Sequence, residues 1–322
     1  MHRIARAIAA AAACALALAA AAQGYPTKPV KIIVPLAAGG TGDTLARAVG
    51  DGISKELGQP VVIENRPGAG GLVGTEFVAN SPADGYTLLA VSPSHLINPV
   101  LYGPKAHYDA LKSFDPVVVM AYTHQMIVAH PSVPARNLKE LIDYAKAHPG
   151  KLNYGSAGTG SATHLNMELF KSMAGVDIVH VPYKGSTQAR QDVVAGQVQL
   201  AMDGLLPVLA LIKEKRLKAL ALTSGHRSAS APGIPTMSEA GVPGYVSDTW
   251  YGLLAPAGTP RDVLAKLEHA ASAALKSPEV RDRLTKAGAE PAGTTAGEFR
   301  KVIEREKPIW AKVVKDSGAK VD

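Results

Sequence analysis

Cysteine is almost absent from this sequence: Cys14 is the only one in 322 residues. It sits inside the N-terminal apolar run, so the rest of the chain can build neither a disulfide, nor a thiolate nucleophile, nor a cysteine-based metal site. Aromatic residues make up only 5% of the chain and do not interleave with the basic ones, which argues against a nucleic-acid surface. Beyond residue 22 no apolar run is long enough to cross a bilayer. The sequence also lacks G-x-S-x-G, H-E-x-x-H and the Gly-Lys-Ser/Thr ending of a P-loop. Those absences remove the commonest signatures of a hydrolase, a zinc protease and a nucleotidase.

What the N-terminus does contain is a leader pattern. Arg3 and Arg6 precede an alanine- and leucine-rich stretch from Ala7 to Ala22, and Ala22-Gln23-Gly24 supplies small residues for cleavage before Tyr25. Residues 1–24 are therefore expected to be a signal peptide and the mature chain to reach the periplasm. A lipoprotein reading of Ala11-Ala12-Ala13-Cys14 is disfavoured because the cysteine lies within the apolar run rather than at its end. Without the leader the formal charge is about +5, and lysine and arginine are interspersed with acids. Roughly 300 remaining residues suffice for two lobes of ordinary domain size.

Periodicity predicts two strand–helix alternations in series. In the first, strands at 31–36, 60–63 and 86–91 alternate with helices at 43–57 and from about 72 to 79. The first helix carries an apolar stripe at Leu45, Val49, Ile53 and Leu57 and stops at Gly58. In the second, strands at 152–154, 176–183, 199–202 and 217–223 alternate with helices at 161–173, 186–195 and 205–216. Leu165, Leu169 and Met173 are expected to face inward from the first of these helices. Residues 228–245 read as a surface loop, and helices at 260–275, 278–287 and 295–315 are expected to pack back on the first lobe. The crossings between lobes are placed near 122–125 and 246–249. Lobe I is thus expected over 25–123 and 247–322, and lobe II over 124–246. Each lobe is expected to be a mixed, mostly parallel sheet flanked by helices.

Ligands of such sheets bind beyond the carboxyl ends of the strands. Nearly every Gly/Ser/Thr cluster between residues 25 and 204 falls on those loops: 37–43, 66–71 and 92–95, then 155–163, 182–187 and 203–204. Candidate ligand contacts are Leu36 at the end of the first strand, Ala38, Gly39, Gly40, Thr41 and Asp43 on the first loop, Gly70 and Gly71 on the second, and Ser92 on the third. In the second half they are Ser156, Thr159, Gly160, Ser161, Thr163, Lys184 and Asp203. A glycine-rich turn into a helix exposes unpaired amides where the macrodipole favours an anion. Gly39-Gly40-Thr41-Gly42-Asp43 departs from G-x-G-x-x-G, and Asp43 would oppose a pyrophosphate, although Glu64 stands where a ribose-binding acid would. Asp43 reads both as an N-cap and as a group facing the cleft. Four hydroxyls in eight residues, Ser156, Thr159, Ser161 and Thr163, exceed what capping requires and suit a carboxylate. Lys184 could assist an anion and Asp203 an amine, or each could be solvated or paired. His164 lies three residues after Ser161 without an evident orienting acid. His95, His124, His130, His148 and His180 show no metal-ligand spacing and read mostly as loop or surface residues.

The segments Tyr25-Pro26-Thr27-Lys28-Pro29-Val30-Lys31-Ile32-Ile33-Val34-Pro35, Glu64-Asn65-Arg66-Pro67-Gly68-Ala69-Gly70-Gly71, Ala83-Asp84-Gly85-Tyr86-Thr87-Leu88, 154–164, Val181-Pro182-Tyr183-Lys184-Gly185 and 250–260 follow one another in order. Together they resemble the tripartite tricarboxylate transporter receptors, the TctC-like or Bug periplasmic solute-binding proteins. The resemblance implies a two-lobed Venus-flytrap α/β fold and capture of a small carboxylate or amino-acid-like ligand without a cofactor, metal or catalysis. It implies that the loops around Gly39–Asp43 and Ser156–Thr163 hold the ligand from opposite lobes, and that a monomer delivers it to membrane transporter subunits. Many members carry an aromatic residue after the first Val-Pro, where this chain has Leu36. The rival expectations are an exported serine hydrolase using Ser161 or Ser92, and a ligand sensor without a transport role.

Overall fold

The computed structural model describes residues 24–228 and 230–317. The expected leader and Cys14 lie outside them, Gly24 apart. The first sheet is built from β1 (Val30–Val34), β2 (Val61–Asn65), β3 (Thr87–Val91), β4 (Phe114–Thr123), β10 (Thr249–Pro256) and β11 (Ala289–Pro291), in the order β11-β4-β10-β3-β1-β2. The second contains β5 (Gln125–Ala129), β6 (Asn153–Ser156), β7 (Val179–Pro182), β8 (Leu200–Gly204) and β9 (Lys218–Leu222), in the order β7-β6-β8-β5-β9. β1 pairs in parallel with β2 and β3, while β10 runs antiparallel to β3 and β4, so β4 again points the same way as β1. In the second sheet β5 alone opposes the rest. Both sheets are thus mixed, with most strands pointing one way.

Helices cover both faces of each sheet. In the first lobe these are α1 (Thr41–Leu57), α2 (Leu72–Ala79), α3 (Ser94–Leu101), α8 (Arg261–Lys276), α9 (Pro278–Lys286) and α10 (Ala296–Ser317). In the second they are α4 (Leu138–Ala147), α5 (Ala162–Ala174), α6 (Ser186–Val194) and α7 (Leu205–Lys213). Strand alternation sorts the core: Val30, Ile32 and Val34 enter one cluster with α1, α8 and α9, whereas Ile33 enters another with α2, α3 and α10. The expected stripe on α1 is buried at Leu45, Val49 and Ile53, with Leu57 packed at its edge. Gly58 adopts φ 65° and returns its N–H to Ser54 O, which ends the helix in the left-handed conformation that glycine tolerates.

α5 corrects one expectation. Met167 and Phe170, not the stripe of Leu165, Leu169 and Met173, fill the core of the second lobe. Leu165 is buried among Trp250, Phe299 and Ile303 of the first lobe, Leu169 borders both clusters, and Met173 is 42% exposed. The helix has two apolar sides because it is packed by both bodies, with α10 against one of them.

The topology dictates how the two sheets face each other. β4 ends at Thr123 and β5 begins at Gln125, with only His124 between. Thr123 lies at the carboxyl end of the first sheet's parallel strands, opposite Thr249, and Gln125 pairs with Gly204 at the carboxyl end of β8. The strand-end loops of both lobes are therefore turned toward the same crossing. Asn166, buried on α5, fastens that crossing: its Nδ2 donates to Gln125 Oε1 at 2.8 Å and its Oδ1 accepts from Ser247 Oγ at 2.6 Å. Removing a buried partner leaves the others desolvated and unpaired, so Asn166→Ala is expected to lower the unfolding free energy by about 1–3 kcal/mol. Urea unfolding followed by circular dichroism measures it; a loss no larger than that of the exposed control His148→Ala would contradict the fastening role.

Candidate ligand-binding cleft

Six helices start on loops at the carboxyl ends of the parallel strands β1, β2, β3, β6, β7 and β8. Four of them begin at a glycine: Gly40 before α1, Gly71 before α2, Gly185 before α6 and Gly204 before α7, none with a side-chain cap. Of the helices that start elsewhere, α4 and α9 are capped by Asn137 and Ser277, while α8 follows Pro260 without a side-chain cap. A glycine N-cap leaves the first-turn amides open to a guest, at a stability difference of only a few tenths of a kcal/mol from the best side-chain caps. Two of these uncapped helix starts belong to each lobe; Leu72 N–H is taken by Ala69 O and Leu205 N–H by His124 O, and the other first-turn amides follow them.

The first loop is held from behind by groups that sequence reasoning did not single out. Asp43 is not the N-cap residue. It is the third residue of α1, only 3% exposed, and its carboxylate reaches back to the Gly39 N–H at 2.9 Å. Arg47 engages both oxygens and Asn65 Nδ2 adds a bond at 3.0 Å. Burial pushes the Asp43 pKa up, but the bonds from Arg47, Gly39 and Asn65 outweigh it and hold the carboxyl below its ordinary value. Asn65 also donates to Leu36 O and accepts from Arg47, so the end of β2 pins both sides of the loop. The carboxylate that seemed to oppose an anion is thus neutralised by Arg47 and turned into scaffold. Leu36, Ala38, Gly39, Gly40 and Thr41 remain exposed in front of it. Tyr251, on β10, packs beneath Gly42 and so sets this loop against the strand that leads from the crossing.

The second loop bends through four consecutive positive φ angles, Gly68, Ala69, Gly70 and Gly71. Ala69 at φ 46° is the non-glycine member, a conformation costing an L-residue about 1–2 kcal/mol. Gly74 admits the close approach of this segment to the first loop, since a Cβ there would stand 2.8 Å from Pro35 Cα. Gly70 O accepts from Asn98 Nδ2 on α3, and Leu101 at the end of α3 would touch a Cβ on Gly160 at 2.5 Å. Contacts therefore run without a break from the loops of the first lobe to residues 158–161 of the second. Ser92, half-buried, bonds Ser94.

In the 156–163 loop three of the four hydroxyls are occupied. Thr163 Oγ1 accepts from Ala157 N–H, Ser156 Oγ accepts from Gly158 N–H, and Ser161 Oγ caps α5 at His164 N–H. These three fold the turn, and Thr159 is the one exposed on it. Asp203 is also scaffold: it is buried, paired with Arg190 at 2.6 Å and bonded to Gly204 N–H, so it is not free for an amine. Lys184 is exposed and has no ion pair among the described residues. A hollow of about 430 Å³ lined by Arg190, Val194, Leu211 and other residues of α6 and α7 contains none of the glycine-rich loop residues.

No described arrangement supports a serine nucleophile at Ser92 or Ser161, neither of which bonds an imidazole side chain. Two serines do: Ser132 at the surface, 2.7 Å from His130 Nδ1, and Ser156, 2.6 Å from His180 Nε2 but only 1% exposed. Burial pushes His180 and His164 down to about 4, which keeps both rings neutral and weakly basic. They stack at 4.0 Å over Tyr154 as packing. His95 and His124 are buried rather than superficial.

The family profile described as tripartite tricarboxylate transporter family receptor matches residues 45–319. The chain belongs to that family. It is 37% identical to the protein BugT of Bordetella pertussis over 304 residues, spanning 93% of this chain and 92% of BugT. Among solved structures it resembles an R. palustris protein with adipate, with a TM-score of 0.81 and 37% identity over 92% of this chain and 100% of that one. It also resembles MatC from Rhodopseudomonas palustris with bound malate, with a TM-score of 0.78 and 34% identity over 90% and 100%. The family is one of solute-binding receptors, and the two-lobed α/β fold is that of periplasmic binding proteins.

Asp43 tests the scaffold. A carboxyl whose folded pKa is depressed contributes stability above its unfolded value, about 4, and loses it as pH falls through the folded value. Asp43→Ala should therefore lower stability near neutral pH by about 1–3 kcal/mol, with the gap to the unsubstituted protein narrowing below about pH 4. Thermal melts across pH measure this; a gap that stays constant with pH would contradict it.

Proposed function

We propose that this chain is a periplasmic receptor that captures a small dicarboxylate between its lobes and presents it, as a monomer, to tripartite tricarboxylate-type transporter subunits. The carrying observation is the set of four uncapped glycine-started helices, two from each lobe, at strand ends turned toward one crossing. Amides at a helix N-terminus suit a carboxylate, and one such cradle per lobe suits a ligand with a carboxylate at each end. The adipate and malate bound to two relatives support the same reading.

In this reading one carboxylate lies against Ala38, Gly39, Gly40 and Thr41, beside Gly70, Gly71 and Ser92. The other lies against Thr159, Gly160 and the helix starts after Gly185 and Gly204, with Lys184 at the rim and Leu36 as a small apolar wall. Ser156, Ser161, Thr163, Asp43 and Asp203 shape the cradles without meeting the ligand. Lobe I comprises 25–123 and 247–322 and lobe II 124–246, hinged at the crossings. A ligand contacting both lobes shifts the population toward the closed form, which the transporter recognises. Export by a cleavable leader brings the receptor to the periplasm.

Calorimetry with adipate, malate and monocarboxylates of matched length tests the reading. Losing one charge-assisted end removes about 1.5–3 kcal/mol, so the best dicarboxylate should bind at least about tenfold tighter than its monocarboxylate counterpart. Small-angle scattering should show compaction with the same ligand. Equal affinity for both classes, or binding without compaction, would overturn the proposal.

A further inference from the structure

Away from the strand-end loops, four side chains from four separate stretches converge where the lobes join. His124 is the single residue between β4 and β5, and Asp248 immediately precedes β10. Glu290 is the middle residue of β11, at the edge of the first sheet, and His226 lies on the loop after β9 of the second. His124 Nε2 is 3.0 Å from Glu290 Oε2, and His226 Nε2 is 3.5 Å from the same oxygen. One ligand atom from each of the three residues lies within 4.8 Å of the others. On the other side of the His124 ring, Nδ1 meets Asp248 Oδ1 at 3.1 Å.

We propose that His124, His226 and Glu290 form a binding site for a divalent transition-metal ion of the zinc type, with Asp248 as the positioning residue behind His124. The donor set is two imidazoles and a carboxylate, which suits such an ion. Metal–ligand bonds of about 2.0–2.2 Å in tetrahedral array place neighbouring donors about 3.3 Å apart. The separations of 3.0 and 3.5 Å bracket that value. A carboxylate on the far nitrogen fixes the tautomer that leaves Nε2 free to ligate, the usual outer-shell arrangement of a metal-bound histidine.

Two further observations point to a cation. This is a basic protein, yet among the described residues neither Glu290 nor Asp248 pairs with lysine or arginine; their ionic partners are histidines alone. Access is graded as a binding site requires: the His124 side chain is 7% exposed, whereas His226 and Glu290 are 62% and 57% exposed, so an ion and a completing water can reach the open side. An ion there joins a loop of lobe II to the edge strand of lobe I beside the crossing, and so favours one angle between the lobes. The site stands apart from the carboxylate cradles, and the inference holds or fails independently of the ligand proposed for them.

Calorimetric titration of the untagged, chelator-treated mature chain with zinc(II) near neutral pH is expected to show one site of micromolar affinity. Cobalt(II) should give the visible absorption of a four-coordinate centre, abolished by added zinc. His226→Ala and Glu290→Gln alter exposed side chains and should keep the native melt while each weakens binding at least about tenfold. Asp248→Asn should weaken it by about 10–100-fold. His107→Ala, which removes another histidine beside a carboxylate (Glu76, 3.4 Å), should leave it unchanged. The alternative is that His124 is an imidazolium clasped by two carboxylates; it predicts no saturable zinc binding, and that result overturns the proposal. Binding that survives both His226→Ala and Glu290→Gln overturns it equally.

Discussion

At the crossing between the lobes the backbone changes sheets inside the protein, and each amide and carbonyl it carries there has to find a partner away from water. Gln125 O accepts from both the N–H and the hydroxyl of Thr223, while Thr223 Oγ1 accepts in turn from Gln125 N–H. Thr223 O then receives Ser247 N–H from the returning segment, and His124 O receives Leu205 N–H at the start of α7. Two passages of the chain are thereby laced into one joint, with Asn166 tied to both. Because β5 leaves this joint antiparallel to β8, the carboxyl ends of the second sheet's parallel strands come back to it. The face-to-face placement of the loops follows from that strand reversal.

The same economy of hydrogen bonds shapes the cleft. A buried or half-buried turn satisfies itself first, and only what is left over can serve a guest. In the 156–163 loop three of the four hydroxyls are used in closing the turn. In the 37–43 loop the Asp43 carboxylate does that work, with Arg47 cancelling its charge. The positions left open include Ala38, Gly40, Thr41 and Thr159, whereas the Gly39 and Gly160 N–H groups are spent on Asp43 and His164. Recognition by main-chain amides is consistent with a family whose relatives hold ligands as different as adipate and malate.

Much of the fold was legible in the sequence. Strand–helix alternation, the stripe on α1 and the stop at Gly58 are governed by neighbours within a few residues, and all of them are observed. Leu165 shows the limit: its spacing placed it correctly on an apolar side of α5 but could not say that this side belongs to the other lobe. Asn65 shows another. It stands in a segment prominent for its glycines, but its partner Asp43 is 22 residues away and no local period connects them. His124, His226, Asp248 and Glu290 are farther apart still, and without motif spacing they read as unrelated residues.

The sequence by itself determined the alternation of elements, the breaks between them and the small-residue loops at the strand ends, because these depend on backbone conformational preference and short-range periodicity. Tertiary structure alone decided which polar groups are spent on holding the loops and which remain free. It also decided which apolar side faces which body and which titratable groups meet at the joint. These are outcomes of competition for partners among groups distant along the chain. A residue's chemistry sets what it can bond to, but only the folded arrangement sets what it is left with.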